Sequence, residues 1–374
     1  MKKTLRISLP KWYDLHVHLR QGELLKHIIL DHIQAKCYGI VAMPNTYPPI
    51  TKVLGKNTKN SWSIESYIQT IKKNANNNLK TIIVPLYLSQ ITTPEMIQMG
   101  AKSGFLKVCK YYPPFSTTNI KKNPNLLFFM KNGVFAEMES NNIILSIHGE
   151  DNNILNTQYF DKKHNAESIF YTSIAPKIVE KYPNLKIIAE HISTKEAVNF
   201  ILESGINTSA TITPQHLLYT VSDLLKNFQI HLYCLPILKF KEDQDALLDA
   251  ITKNDNSSFF AGSDSAPHIL KFTECGCSAG CYTAPIVPQL YIQSFENFGI
   301  DMRIYENQKI FQKFLCENGP KFYGLPLAKE NFQLEKKEEK IFIRKTKIGN
   351  LVPLPIAINS KKNKISTKLP WSIL

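Results

Sequence analysis

Apolar and polar residues alternate along "WYDLHVHLRQGE", residues 12–23, where Leu15, Val17 and Leu19 fall between Asp14, His16 and His18. A period of two predicts a strand and sends His16 and His18 from one face. Short apolar, β-branched runs recur along the chain and predict further strands. Together the set lies at 14–19, 39–45, 81–88, 104–113, 142–150, 185–193, 207–214 and 257–268. Several runs are continuously apolar, as strands covered on both faces of a parallel sheet are. Stretches such as "ELLKHIILDHIQAK" and "SIESYIQTIKKN" lie between them with the amphipathic pattern of helices. Eight strands with intervening helices over about 250 residues match a (β/α)8 TIM barrel, an α/β fold. A doubly wound sheet is the architectural alternative, but no Gly-rich phosphate loop follows the first strand. From about 329 onward, "NFQLEKKEEKIFIRKTKIGNLVPLPI" reads as a few short strands, so a barrel at 1–328 with a small β extension at 329–374 is expected.

Composition narrows the function classes. With 374 residues, 43% hydrophobic and 20% charged, the chain suits a soluble globular protein with a substantial core. No run approaches the ~20 apolar residues of a membrane helix, so no membrane partner is expected. The start "MKKTLRISLPKWYD" has basic residues but no apolar stretch of a secretory leader, which makes the cytoplasm the expected location. Seven cysteines, an odd number, argue against a disulfide framework. Cys37, Cys109, Cys234 and Cys316 read as buried thiols. Cys275, Cys277 and Cys281, in "CGCSAGC", are one short of a thiolate zinc site and read rather as a tight loop. The formal charge of +14 raises nucleic-acid binding, yet the lysines are scattered, many beside Asn, and "LEKKEEKIFIRKTK" is of mixed sign. No nucleic-acid partner is expected, whereas a diffuse positive field would help to draw in a small anionic substrate.

The chemistry-bearing residues collect at one kind of position. His16, His18, Asn45, Lys110, His148, His191 and Asp264 all lie at or just past the C-terminal ends of the predicted strands. That rim is where a barrel assembles its site from separate strands. Four imidazoles, a carboxylate and a lysine with almost no sulfur suit zinc or a similar divalent ion. Lysine itself is an ammonium at neutral pH and a poor ligand. Desolvated, it can lose its proton and add carbon dioxide, and the resulting carbamate is an anionic bidentate group able to bridge two metals. Taken alone, the His16–His18 pair would equally suit a half-buried strand that carries histidine on its polar face.

These residues stand in segments that resemble the amidohydrolase superfamily of metal-dependent barrels and, within it, the bacterial dihydroorotases of the shorter, second class. The matching segments are "DLHVHLRQGELL", "AMPNTYPPIT", "KYYPPFSTTN", "IHGE", "EHISTKEA", "ATITPQHLLY", "HLYCLPILK", "GSDSAPH", "CGCSAGC" and "NGPKFYGLP", in the family's order and over nearly the whole chain. The resemblance implies that His16, His18 and Asp264 bind one zinc and that His148 and His191 bind a second. Lys110, carboxylated on its side-chain nitrogen, would bridge the two ions together with a hydroxide. Arg20, Asn45 and His268 would grip the carboxylate of dihydroorotate, and the backbone at Leu235 and Ala279 would hold the ring amides. Thr117 and Thr118 would sit on a loop that closes over the substrate. Asp264 would act as general acid and base in the reversible cyclisation of carbamoyl-aspartate to dihydroorotate, a step of pyrimidine biosynthesis. The "CGCSAGC" loop is one residue longer than the family pattern, which leaves Ser278 as the alternative to Ala279. The segment before His16 is too short to add much to the β-sandwich that many superfamily members build from both chain ends, in keeping with the shorter class.

Other readings stay beside this one. A hydantoinase-like or allantoinase-like cyclic amidase would have less use for a carboxylate grip. A metal-free barrel serving as a scaffold would not need every ligand position filled. Dimers are common among such relatives, so a homodimer is the implied assembly, although no segment identifies an interface. His216, in "TPQHLLY", is expected to support the site rather than bind metal, since the ligand count is complete without it. His27 and His32 are expected on a helix as surface or packing residues, and His164 and His231 have no strand-end position that demands a role.

Overall fold

The computed structural model describes residues 4–114, 123–151, 153–226, 228–274, 276–355 and 366–374. Eight parallel strands form a closed barrel: Trp12–Val17, Cys37–Ala42, Thr81–Ile83 continued by Leu86–Tyr87, Val108–Tyr111, Ile144–His148, Ile187–Glu190, Thr208–Ile212 and Phe259–Ala261. Each pairs with the next, as Gly39 with Thr81, Leu86 with Cys109, Val108 with Ile144, Leu145 with Ile187, and Ala210 with Phe259. The third strand breaks around Pro85, which has no N–H to give to a ladder. The ring closes where Val17 bridges Ser265. There the Asp264 N–H donates to the His16 carbonyl (2.8 Å) and the His18 N–H to that of Ser265 (3.0 Å). All eight predicted strands are present; the first two begin two residues earlier than expected, and the others lie within the expected ranges.

Every second residue of a strand points into the barrel. Val41, Ile83, Val108, Ile144, Ile188 and Phe260 fill the interior with Tyr13 and Leu15, and Phe322 and Tyr323 pack beneath them. Two residues further along the fourth, fifth and sixth strands the inward positions turn polar: Lys110 after Val108, Ser146 and His148 after Ile144, Glu190 after Ile188. The barrel is therefore apolar at one end and ionisable at the other. Intervening residues such as Cys109, Leu145 and Ala189 face the helices, among them Glu23–Gln34 with Leu25, Ile28 and Ile29 buried.

The first strand departs from simple alternation. Its register with the second shifts between Asp14 and Val17, the mark of a bulge. Leu15 belongs to the interior cluster and Val17 to the outer one, so the parity flips between them. Asp14 consequently turns away from the histidines. Its carboxylate meets His32 Nε2 at 3.0 Å and accepts from Ser263 N–H at 2.9 Å and Ser263 Oγ at 2.5 Å. His16 and His18 keep a common face, but Asp14 does not share it.

One strand from the start of the described chain, Arg6–Pro10, lies antiparallel to Asn331–Glu335, whose far edge takes Ser372–Ile373. Glu339–Phe342 pairs with Ser366–Leu369, and Arg344–Thr346 with Gly349–Leu351. The last pair is fastened to the helix Glu23–Gln34, where Arg344 forms an ion pair with Asp31 and the Lys347 N–H donates to Glu23 Oε1 (3.0 Å). The six described cysteines form no disulfide, and Cys275 lies outside the described residues. Among the described residues, no helix is long and apolar enough to cross a membrane.

Candidate active site

His16 and His18 flank Val17 at the end of the first strand. His16 Nδ1 lies 2.6 Å from Glu190 Oε2, and His18 Nδ1 lies 2.6 Å from Asn45 Oδ1. Each ring carries its proton toward that acceptor, which leaves the Nε2 lone pairs facing Asp264 Oδ1 at 3.5 Å and 3.0 Å. Burial lowers the His18 pKa, its largest influence, against the pull of Asp264. Lone pairs pointed at a carboxylate are repelled by it unless a cation sits among them. The ligand atoms of His16, His18 and Asp264 all fall within 4.8 Å of one another.

The second group adjoins the first. The His191 ring centroid is 4.9 Å from that of His16 and 4.7 Å from that of His148. His148 Nε2 is held by Glu150 Oε2 at 2.5 Å. Lys110 is fully buried, and its Nζ lies 5.0 Å from the Tyr112 ring centroid. Burial pushes this ammonium down to about 8, although Glu190 and Asp264 oppose the shift. Burial likewise drives the His191 imidazole well below its usual range, aided by His148 and His16.

The fit to metal ions can be judged from atoms without partners. Among the described residues, His16 Nε2, Lys110 Nζ and His191 Nδ1 are buried and make no hydrogen bond. Each such group costs about 1–3 kcal/mol when unsatisfied. Three of them converge beside a carboxylate, with the opposite ring nitrogens of His16, His18 and His148 already anchored. Metal-binding histidines are commonly oriented in this way. The residues suit a divalent ion held by His16, His18 and Asp264.

Backbone geometry turns two of these groups inward. His191 and Asp264 have φ of 41° and 45°, and Arg20 has 61°, all in the left-handed region that costs a side-chain-bearing residue about 1–3 kcal/mol. The His191 N–H is held by Thr211 Oγ1 at 2.6 Å, and that hydroxyl donates to Glu190 Oε2 at 2.6 Å. The turn carrying Asp264 is pinned through Ser263 to Asp14, so the bulged strand also supports the neighbouring carboxylate.

A cleft of about 250 Å³ opens above the cluster and is lined by His18, His148, His191 and Asp264 together with Arg20, Asn45, Leu235, Ser278 and Ala279. Arg20 Nε donates to the Pro267 carbonyl at 3.0 Å, and Nη2 lies 3.0 Å from His268 Nε2. The same nitrogen is 2.8 Å from the Ala279 carbonyl, so either tautomer satisfies only one of the two contacts. Burial and the Arg20 charge hold this imidazole at about 3, hence neutral. His268 lines an adjoining cavity of about 390 Å³, where it stands beside Arg20. Thr117 and Thr118 lie outside the described residues.

Four of the other histidines are occupied elsewhere. His216 Nδ1 pairs with Thr213 Oγ1 at 2.7 Å and Nε2 with the Pro236 carbonyl at 2.9 Å, which leaves no lone pair for a metal. His32 is buried against Asp14, His27 sits near Glu23, and His164 is exposed near Asp161. Sequence reasoning passed over Glu190, Glu150 and Tyr112. Glu190 could have been found, because strand parity places it inward two residues after Ile188. Glu150 follows the strand in a turn, where no period assigns a direction.

A closed parallel barrel whose strand ends gather four imidazoles, a carboxylate and an unpaired lysine is the architecture of the amidohydrolase class. No model of a known protein family matches the chain. Individual relatives do. A dihydroorotase from Buchnera aphidicola is 36% identical, covering 100% of this chain and 99% of that protein. Another, from Shewanella amazonensis, is 37% identical over 88% of this chain and 90% of its own. The crystal structure of Saccharomyces cerevisiae dihydroorotase in complex with 5-fluoroorotic acid superposes with a TM-score of 0.83, at 27% identity, covering 99% of this chain and 98% of that one. An Arthrobacter aurescens L-hydantoinase, at 16% identity and a TM-score of 0.71 over 90% of this chain and 78% of its own, shares the fold. The chain belongs to the dihydroorotase family, hydrolases that act on cyclic amides.

Proposed function

We propose that the protein interconverts N-carbamoyl-L-aspartate and L-dihydroorotate with two zinc ions per subunit. His16, His18 and Asp264 would hold one ion, His148 and His191 the other, and carboxylated Lys110 both. The observation that carries the reading is the shared cleft, in which the ion-binding cluster lies beside Arg20 and Asn45. When bound, the two ions would supply an activated water at neutral pH and an electrophile for the ring carbonyl.

The chain's own residues supply the rest. Arg20 presents a planar fork that a carboxylate accepts bidentately, and Asn45 adds a polar contact; together they fix the ring's orientation. Backbone groups at Leu235 and Ala279 face the ring amides, with Ser278 as the alternative to Ala279. Asp264 takes the proton of the attacking water as the carbon–oxygen bond forms. It returns that proton to the ring nitrogen as the carbon–nitrogen bond breaks. Ring closure runs through the same steps reversed.

The carboxylate grip gives the first test. Dihydroorotate is expected to be hydrolysed far faster than dihydrouracil, which lacks the carboxylate, and equal turnover of the two would remove the roles of Arg20 and Asn45. The supporting carboxylates give the second. Burial would raise the Glu190 carboxyl, but His16 and Lys110 hold it down at about 2, so it is ionised and orients His16. Glu190→Gln should weaken zinc binding by about 10- to 100-fold, measured by competition with a chromogenic chelator. Unchanged affinity would mean that His16 needs no such anchor.

A further inference from the structure

Lys271 is only 6% exposed and has no carboxylate within ion-pair distance among the described residues. A buried ammonium without a counter-charge is costly, and its protons must go to strong acceptors. Here they go to backbone. Nζ donates to the Tyr233 carbonyl at 3.0 Å and to the Gly280 carbonyl at 2.7 Å. These carbonyls belong to separate segments, one leading to Leu235 and the other carrying Ser278 and Ala279, and both line the cleft. The segments are tied directly as well, since the Gly280 N–H donates to the Tyr233 carbonyl at 2.9 Å and the Ser278 N–H to the Lys271 carbonyl at 2.7 Å. Gly280 has φ of 140°, and a Cβ there would lie 2.4 Å from the Ala266 carbonyl oxygen. The loop is thus pressed onto the turn that carries Asp264, and its position depends on what holds it from behind.

We infer that Lys271 is a positioning residue for the ring-binding wall: its ammonium sets the separation of the Tyr233–Leu235 and Ser278–Gly280 segments that seat a flat cyclic amide. This rests on the dihydroorotase reading above. Lys271 is not among the residues that line the cleft and acts through the two carbonyls. Its removal therefore acts on ring binding and leaves the ion cluster in place.

The test compares Lys271→Met and Lys271→Arg with the parent protein. In the Met variant the KM for dihydroorotate should rise by about tenfold or more, the size expected for losing charge-assisted hydrogen bonds. Its kcat and zinc content should match those of the parent. Arginine offers several donors that can reach both carbonyls, so the Arg variant should recover most of the KM. Amide hydrogen exchange at Ser278 and Gly280 should quicken in the Met variant and not in the Arg variant. If the Met variant does not fold, Lys271→Gln, which keeps two donors on one nitrogen, should show the same two changes to a smaller degree. Unchanged KM and exchange would overturn the inference, as would a fall confined to kcat or accompanied by loss of zinc. A parent protein that does not turn over dihydroorotate would overturn the functional reading instead, and the exchange measurement would still decide the role of Lys271.

Discussion

Asp264→Asn is expected to slow dihydroorotate hydrolysis by about 10²- to 10⁴-fold, the usual worth of a positioned general acid–base group. Burial alone would raise the pKa of this carboxyl, but His18, His16 and His148 outweigh it and keep the group below its ordinary value. It is therefore ionised at neutral pH and able to accept a proton, which the isosteric amide cannot do. The amide keeps the shape, and the backbone hold on the turn through Ser263 does not depend on the side chain at 264. The loss should accordingly appear in kcat more than in KM for dihydroorotate. Zinc content measured on the same sample separates a lost proton carrier from a lost ligand. Turnover within about threefold of the parent would remove Asp264 from the chemistry, since no general acid–base role is that small.

Lys110→Ala should reduce bound zinc from two ions per chain toward one and lower turnover by at least about 10³-fold, some 4 kcal/mol in the barrier. A fully buried amine without a hydrogen-bonding partner is destabilised as an ammonium, and its pKa is brought to about 8. Only the neutral amine adds carbon dioxide. In metal-depleted protein, bicarbonate-dependent recovery of zinc binding should therefore increase as pH rises through about 8 and fade below it. Elemental analysis and activity before and after reconstitution check both statements. Two ions retained by the Ala variant would show that the lysine bridges nothing.

The strands were readable because buried parallel strands are written as apolar runs, and the cluster was readable because a barrel presents its functional side chains where those runs stop. What escaped has a different physical origin. The bulge in the first strand inserts one residue without altering composition, so Asp14 looked like a companion of His16 and proved to be a partner of Ser263 and His32. Left-handed backbone at Arg20, His191 and Asp264 is set by the contacts around it; Asp and His adopt it more often than most side-chain-bearing residues, but still too rarely for the sequence to mark these positions. Lys271 resembles any of the scattered lysines until the fold closes carbonyls around it. Glu190 is accessible from parity alone, two residues after Ile188.

The pairing of Arg6–Pro10 with Asn331–Glu335, and of Val17 with Ser265, also bears on how the polypeptide is made. Both partners are translated long after the strands they complete. The first barrel strand can pair early with Cys37–Ala42 on one side, but its other edge must wait for the eighth. Contacts of such sequence separation form slowly, and an open strand edge is a template for unwanted pairing. On the ribosome, the segment that carries His16 and His18 thus stays half-finished for most of synthesis, and crowding among nascent chains is a hazard concentrated there.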